Sequence, residues 1–159
     1  SASSAASDVY KRQLQAHFFV FYFAVFSTLT PPVAVSVLAA AKLGEATFLS
    51  TAKDAMKIAL TTFIIPFAFV FSPELMLFPN VTWGTMLAVV EVVFVQLAVS
   101  VASYGFLIRS LNGFERGVYA FVALSGFLGF TYDANFWYVA VALFMTISGY
   151  VFVSNKTQE

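Results

Sequence analysis

The chain has no cysteine and one histidine, His17, so a disulfide framework, a thiolate metal site and a two-histidine metal site made within it are all excluded. Charge is also scarce: 10% of the 159 residues are Asp, Glu, Lys or Arg, against roughly 25% in soluble domains. The eight basic and eight acidic side chains cancel, which leaves no basic surface for nucleic acid. No phosphate loop, paired-carboxylate site or activated-nucleophile arrangement is present, and an enzyme is not expected. What fills the chain instead is apolar: 60% of it is hydrophobic, including 20 phenylalanines. That composition predicts an all-α, polytopic integral membrane protein.

The most informative stretch runs from His17 to Gly44. No charged side chain occurs between Phe18 and Ala41, which is long enough to cross a hydrocarbon core of roughly 30 Å at about 1.5 Å per helical residue. Near its middle stand Ser27-Thr28-Leu29-Thr30-Pro31-Pro32-Val33. Each proline removes a backbone donor and clashes with the preceding turn, at about 3 kcal/mol or more in a helix interior, so the span is expected to break at Pro31-Pro32. A break in lipid survives only where protein, water or a bound ion satisfies the freed groups. Two readings stand side by side. In one, a discontinuous helix lined by the oxygens of Ser27, Thr28 and Thr30 builds an ion and substrate site. In the other, a proline kink has its hydroxyls bonded back to their own helix.

The residues His17 to Pro32, HFFVFYFAVFSTLTPP, continuing as VAVSVLAAAKLG, resemble the C-terminal half of the large permease of tripartite ATP-independent periplasmic (TRAP) transporters, in particular the fused permeases of the TAXI branch. The resemblance extends through Ala-Lys-Asp-Ala-Met-Lys and FIIPFAFVFSPELML to Glu115-Arg116, and covers nearly all of Leu14 to Val153. Ala34 stands where many of these permeases carry glycine after Pro-Pro-Val. The resemblance implies an elevator-type carrier in the bacterial inner membrane that takes up organic acid anions delivered by a periplasmic solute-binding protein. It also implies that an inverted repeat and re-entrant hairpins, encoded upstream, complete the site. The missing N-terminal part of the same permease is thus an expected partner, and the chain alone is expected not to transport.

Asp8-Val9-Tyr10-Lys11-Arg12-Gln13 matches a translated transposon-end adapter, so residues 1–13 are set aside as a non-native leader. Residues 14–44 then form the broken first span. Residues 45–57 read as an amphipathic interfacial helix, with Phe48, Leu49, Ala52, Ala55 and Met56 on one side and Ser50, Lys53, Asp54 and Lys57 on the other. Residues 58–78 form a second span kinked at Pro66, and residues 81–153 three more, with small residues Ser125, Gly126 and Gly129 in the fourth. Residues 154–159 are a polar tail. Counting five spans, Lys42, Lys53, Lys57, Arg109, Arg116 and Lys156 all fall on one side, while the opposite loops hold Glu74 and Asp133. The positive-inside rule makes the basic side cytoplasmic, which puts the N-terminal end in the periplasm and the C-terminus in the cytoplasm.

For the chemistry, Ser27, Thr28, Thr30 and the carbonyls around Pro31 and Pro32 are the candidate ion and substrate ligands. Hard oxygen donors favour sodium, and no other metal or cofactor is expected. Glu91, inside the third span, is a candidate proton carrier because a carboxylate at that depth is costly; a protonated Glu bonded to a neighbouring helix is the plainer alternative. The competing functional class is a non-transporting membrane scaffold whose proline break only shapes a bundle.

Overall fold

A computed structural model describes residues 2–72, 75, 81–132 and 134–156. Among the described residues it is built of α-helices without strands, apart from one isolated bridge between Phe106 and Ser110. The helices are α1 (Ala2–Phe26), α2 (Val35–Leu43), α3 (Phe48–Thr62), α4 (Ile64–Phe71), α5 (Trp83–Tyr104), α6 (Gly113–Thr131) and α7 (Ala134–Lys156). They divide into two compact units, Ser1–Met86 and Leu87–Glu159.

In the first unit, α1 packs on α4 and α2 packs on α3. The spacing of four and three puts Phe19, Phe23 and Phe26 on one face of α1. There they meet Phe67 and Phe63 at centroid distances of 5.5 Å for Phe19–Phe67, 5.9 Å for Phe23–Phe63 and 5.0 Å for Phe26–Phe63, within the range where aromatic pairs attract beyond simple burial. Gln15 adds polar contacts, donating from Nε2 to the carbonyls of Phe69 at 3.1 Å and Val70 at 3.3 Å. Those carbonyls belong to the last turn of α4, which has no helical partner for them. The α2–α3 pair instead uses small residues: Ala34, Val37 and Ala52 form a buried cluster with Ala55 against it, and their size permits close approach of the two backbones.

The segment expected to be an interfacial helix at 45–57 is observed as α3, capped by Thr47, whose side chain accepts from the Ser50 amide. It does not end before the next apolar run. Phe63 keeps right-handed helical angles, φ −62° and ψ −18°, so α3 and α4 follow one another as a rod from Phe48 to Phe71. The interruption at Phe63 has a cause in Pro66, whose ring opposes the carbonyl four residues earlier, while its missing N–H falls in the first turn of α4 where no partner is required. Among the described residues, three stretches can cross a membrane by length and composition: Phe48–Phe71, Trp83–Tyr104 and Asn135–Lys156.

In the second unit α6 packs along α7, with α5 against both. Ala98, Val122, Ala123 and Ala140 form one core cluster, and Val101, Leu111, Tyr119 and Val151 another. Phe94 of α5 lies 4.9 Å from both Trp137 and Phe144 of α7. Gly126 lets α6 approach α5, since a Cβ there would meet Val95 at 2.6 Å. Tyr119, fully buried, shares a hydrogen bond of 2.8 Å with Ser148 across α6 and α7. Helix α6 begins at Gly113, and Glu74 and Asp133 lie outside the described residues.

Candidate functional site

The interruption read from Pro31-Pro32 is where α1 stops and α2 starts. The chain leaves helical geometry after Phe26 and regains it at Val35, and the Pro31-Pro32 peptide is cis. Before the prolines the chain tightens instead of unravelling: Thr28 N–H donates to Val25 O at 3.2 Å and Leu29 N–H to Phe26 O at 2.9 Å, the shorter-range bonds that commonly finish a helix. The far side of the break folds back on this turn. Ala34 N–H lies 3.1 Å from Thr30 O and 3.3 Å from Ser27 O, and Ser36 N–H donates to Thr28 O at 3.1 Å. Backbone groups freed by the prolines are thereby partly re-paired within the break itself, as a hydrocarbon environment requires. Among the described residues, the carbonyls of Leu29, Pro31 and Pro32 accept no hydrogen bond.

All three candidate hydroxyls point their protons into their own helix. Ser27 Oγ donates to Ala24 O at 2.6 Å, Thr28 Oγ1 to Val25 O at 2.9 Å, and Thr30 Oγ1 to Phe26 O at 3.2 Å. Back-bonding of this kind is the geometry of the proline-kink reading. It is equally compatible with cation binding, because a hydroxyl that has given its proton to a carbonyl keeps two acceptor lone pairs. Ser27, Thr28 and Thr30 are half-buried, whereas Pro31, Pro32 and Val33 are exposed.

Ala34 closes the break and is the residue under strain. It is fully buried in the α2–α3 cluster, yet adopts left-handed angles, φ 37° and ψ 37°. An L-residue with a Cβ resists this region by about 1–2 kcal/mol, and glycine does not. The glycine that the resemblance puts at this position thus has a conformational reason, and the alanine here tolerates the same turn at a cost.

Glu91 lies on α5, half-buried, within the second unit. His17 is on α1, its Nδ1 3.0 Å from the Gln13 carbonyl of the preceding turn. A hydrogen-bonded polar cluster lies between α5 and α6. Gly105, at φ 66°, ends α5, and a loop leads to Asn112, the N-cap of α6. Arg109 grips Glu115 through both terminal nitrogens, Nη2 to Oε1 at 2.6 Å and Nη1 to Oε2 at 3.2 Å, and Glu115 Oε2 also accepts from the Asn112 amide at 2.8 Å. Hydrogen bonding from Arg109 foremost, with the Asn112 amide and the charge of Arg109, holds the Glu115 carboxyl below its ordinary range against the opposing effect of desolvation. Arg116 reaches back to α5, donating to the carbonyls of Ala102 at 3.0 Å and Ser103 at 3.2 Å, which that helix end would otherwise leave unpaired. The signal was present as Asn112-x-x-Glu115, a capping-box pattern.

Apolar helices of crossing length, in a chain that is α-helical among the described residues, define a helical membrane protein. Residues 5–84, half of the chain, match the family model described as Tripartite ATP-independent periplasmic transporter, DctM component. The chain belongs to this family of transporter permeases. The matched segment contains the break, the α2–α3 pair and α4, and it begins within the leader that the sequence reading sets aside. No curated protein and no solved structure matches the chain. Membership makes the protein a membrane-embedded transporter component.

Proposed function

We propose that this permease is an ion-coupled secondary carrier of the TAXI branch, importing organic acid anions that a periplasmic solute-binding protein delivers. The supporting observation is the chain between Phe26 and Val35, where the backbone is interrupted and the Leu29, Pro31 and Pro32 carbonyls accept no hydrogen bond among the described residues. Ser27, Thr28 and Thr30 add hydroxyl oxygens whose protons are already committed. Neutral oxygens of this type suit sodium, a hard cation, and Pro31 and Pro32 keep the helix from closing over them. Proton coupling through Glu91 is the less favoured version.

The same back-bonded hydroxyls favour a second reading, a non-transporting scaffold in which the break only shapes the bundle. Uptake by the permease assembled with its binding protein separates the two. Sodium-stimulated uptake should be lost in Thr30→Ala and in Pro32→Ala at normal expression; uptake unchanged in both variants selects the scaffold. Removing sodium at constant ionic strength should abolish uptake, and uptake that instead follows a pH gradient and falls in Glu91→Gln selects the proton version.

A further inference from the structure

The helices of the first unit pair as α1 with α4 and α2 with α3, so the two pairs are joined at two places: the break between Phe26 and Val35, and the joint at Phe63. These joints lie side by side. The ring of Phe63 sits 5.0 Å from that of Phe26, the last residue of α1, and stacks on Phe23 one turn earlier at 5.9 Å and 15°. Phe63 is fixed at its own end, since it closes α3 by donating its amide to Ala59 O at 3.2 Å and carries helical angles into α4.

Phe26 is where this contact reaches the break. Its carbonyl accepts from Leu29 N–H at 2.9 Å, Thr30 N–H at 3.1 Å and Thr30 Oγ1 at 3.2 Å, three donors on an oxygen with two lone pairs. Thr30 O in turn accepts from Ala34 N–H at 3.1 Å, so the turn hangs from Phe26 and the far side of the break hangs from the turn. The Phe26 ring lies between Tyr22, stacked at 4.9 Å, and Phe63; of these two, Phe63 belongs to another helix. Ligand groups keep a productive geometry only when packed side chains behind them lock it. We infer that Phe63 is a positioning residue for the candidate site: acting through Phe26, it holds the turn that presents the oxygens of Ser27, Thr28 and Thr30. This role rests on the reading of the break as an ion site.

Phe63→Leu keeps apolar bulk and removes the ring, whereas Phe63→Tyr keeps the ring. Phe67→Leu is the control, because Phe67 packs on Phe19 at 5.5 Å and on Phe23 at 6.1 Å, one turn further along α4. In the full chain in detergent, without sodium, amide exchange at Leu29 and Thr30 should quicken about five-fold in Phe63→Leu, the scale of one aromatic pair at about 1 kcal/mol. It should stay at the parent rate in Phe63→Tyr and Phe67→Leu. In the permease assembled with its binding protein, Phe63→Leu should raise the sodium concentration for half-maximal uptake by the same factor at an unchanged maximal rate, and Phe63→Tyr should restore it. Exchange unaltered in Phe63→Leu, or quickened equally by Phe67→Leu, overturns the inference, as does a half-saturation that stays put while exchange quickens. Parent uptake indifferent to sodium would sink the ion reading instead, and the exchange rates alone would then decide whether Phe63 holds the turn.

Discussion

Ala34 shows how one backbone angle constrains a whole break. The residue is buried to 0% exposure while its φ is positive, so substitution is judged on two axes at once. Ala34→Gly relieves about 1–2 kcal/mol of left-handed strain but loses a buried methyl group, about 0.8 kcal/mol, and adds backbone entropy of about 0.5–1 kcal/mol in the unfolded chain. These nearly cancel, and thermal unfolding in detergent should change little. Ala34→Val has no compensating gain. A β-branched side chain is strongly disfavoured at positive φ, and the site has no room, so the variant should lose several kcal/mol. If Ala34→Val unfolds like the parent chain, the left-handed turn is wrong. Gly126 is a packing counterpart, because its α-carbon sits where a Cβ would lie 2.6 Å from Val95. Gly126→Leu should destabilise by about 1–3 kcal/mol through overpacking, whereas Gly149→Leu, with nothing within 4 Å, should be tolerated. The angle at Ala34 was not legible beforehand, since alanine gives no sign of φ > 0. The closeness at Gly126 was legible in kind, from small residues along a span, but not in partner.

Helix boundaries turn on a few side chains. The break after Phe26 could be read directly, because two successive prolines remove two donors whatever the tertiary context. The start of α6 could be misread, because Asn112-Gly113 has the composition of a turn while functioning as a cap. Glu115 decides that case, satisfying the Asn112 amide and binding Arg109 at once. Removing its charge in Glu115→Gln should cost about 1–3 kcal/mol, the scale of a lost cap and of a largely buried charge-assisted hydrogen bond. The pH dependence has a definite sign. The folded-state pKa lies below the ordinary 4.5, so the stabilisation is complete above about pH 4.5 and is lost as pH falls through the lower folded value. Acid unfolding followed by helicity should therefore begin at a higher pH when the Arg109 side is removed in Arg109→Gln. Unaltered acid unfolding in that variant would show that the pair contributes nothing measurable. The join of α3 to α4 was legible only in halves. Amphipathic and apolar periodicities were each visible, but that Phe63 stays helical and carries one into the other depends on its packing against Phe23 and Phe26.

At the scale of the molecule, the placement of the lysines is what links sequence to membrane topology. The five-span count puts Lys42, Lys53, Lys57, Arg109, Arg116 and Lys156 on one side. The continuous rod from Phe48 to Phe71 poses a sharper question, because Lys53 and Lys57 sit on its first half. If the whole rod crossed the bilayer, two ammonium groups would lie within the span at about +2.5–3.5 kcal/mol each near the centre, less what snorkelling recovers. An α3 lying in the interface, with the crossing beginning near Phe63, leaves both lysines in water. The turn at Phe63 and Pro66 supplies the place for a change of direction. The absence of cysteine makes the test clean, since single-cysteine variants need no background substitutions. With an impermeant maleimide added to one face of sealed vesicles at a time, Lys42→Cys, Lys53→Cys and Lys156→Cys should all react from the cytoplasmic face and be protected from the other. Labels at positions 53 and 57 should report headgroup depth, and a label at Val70 should report hydrocarbon. Reaction of Lys42→Cys and Lys156→Cys from opposite faces would mean an odd number of crossings between them instead of four, and the positive-inside argument for this chain would fail with it. Position 53 at the depth of the acyl chains would make Phe48–Phe71 a single crossing and turn its lysines into intramembrane charges that need partners.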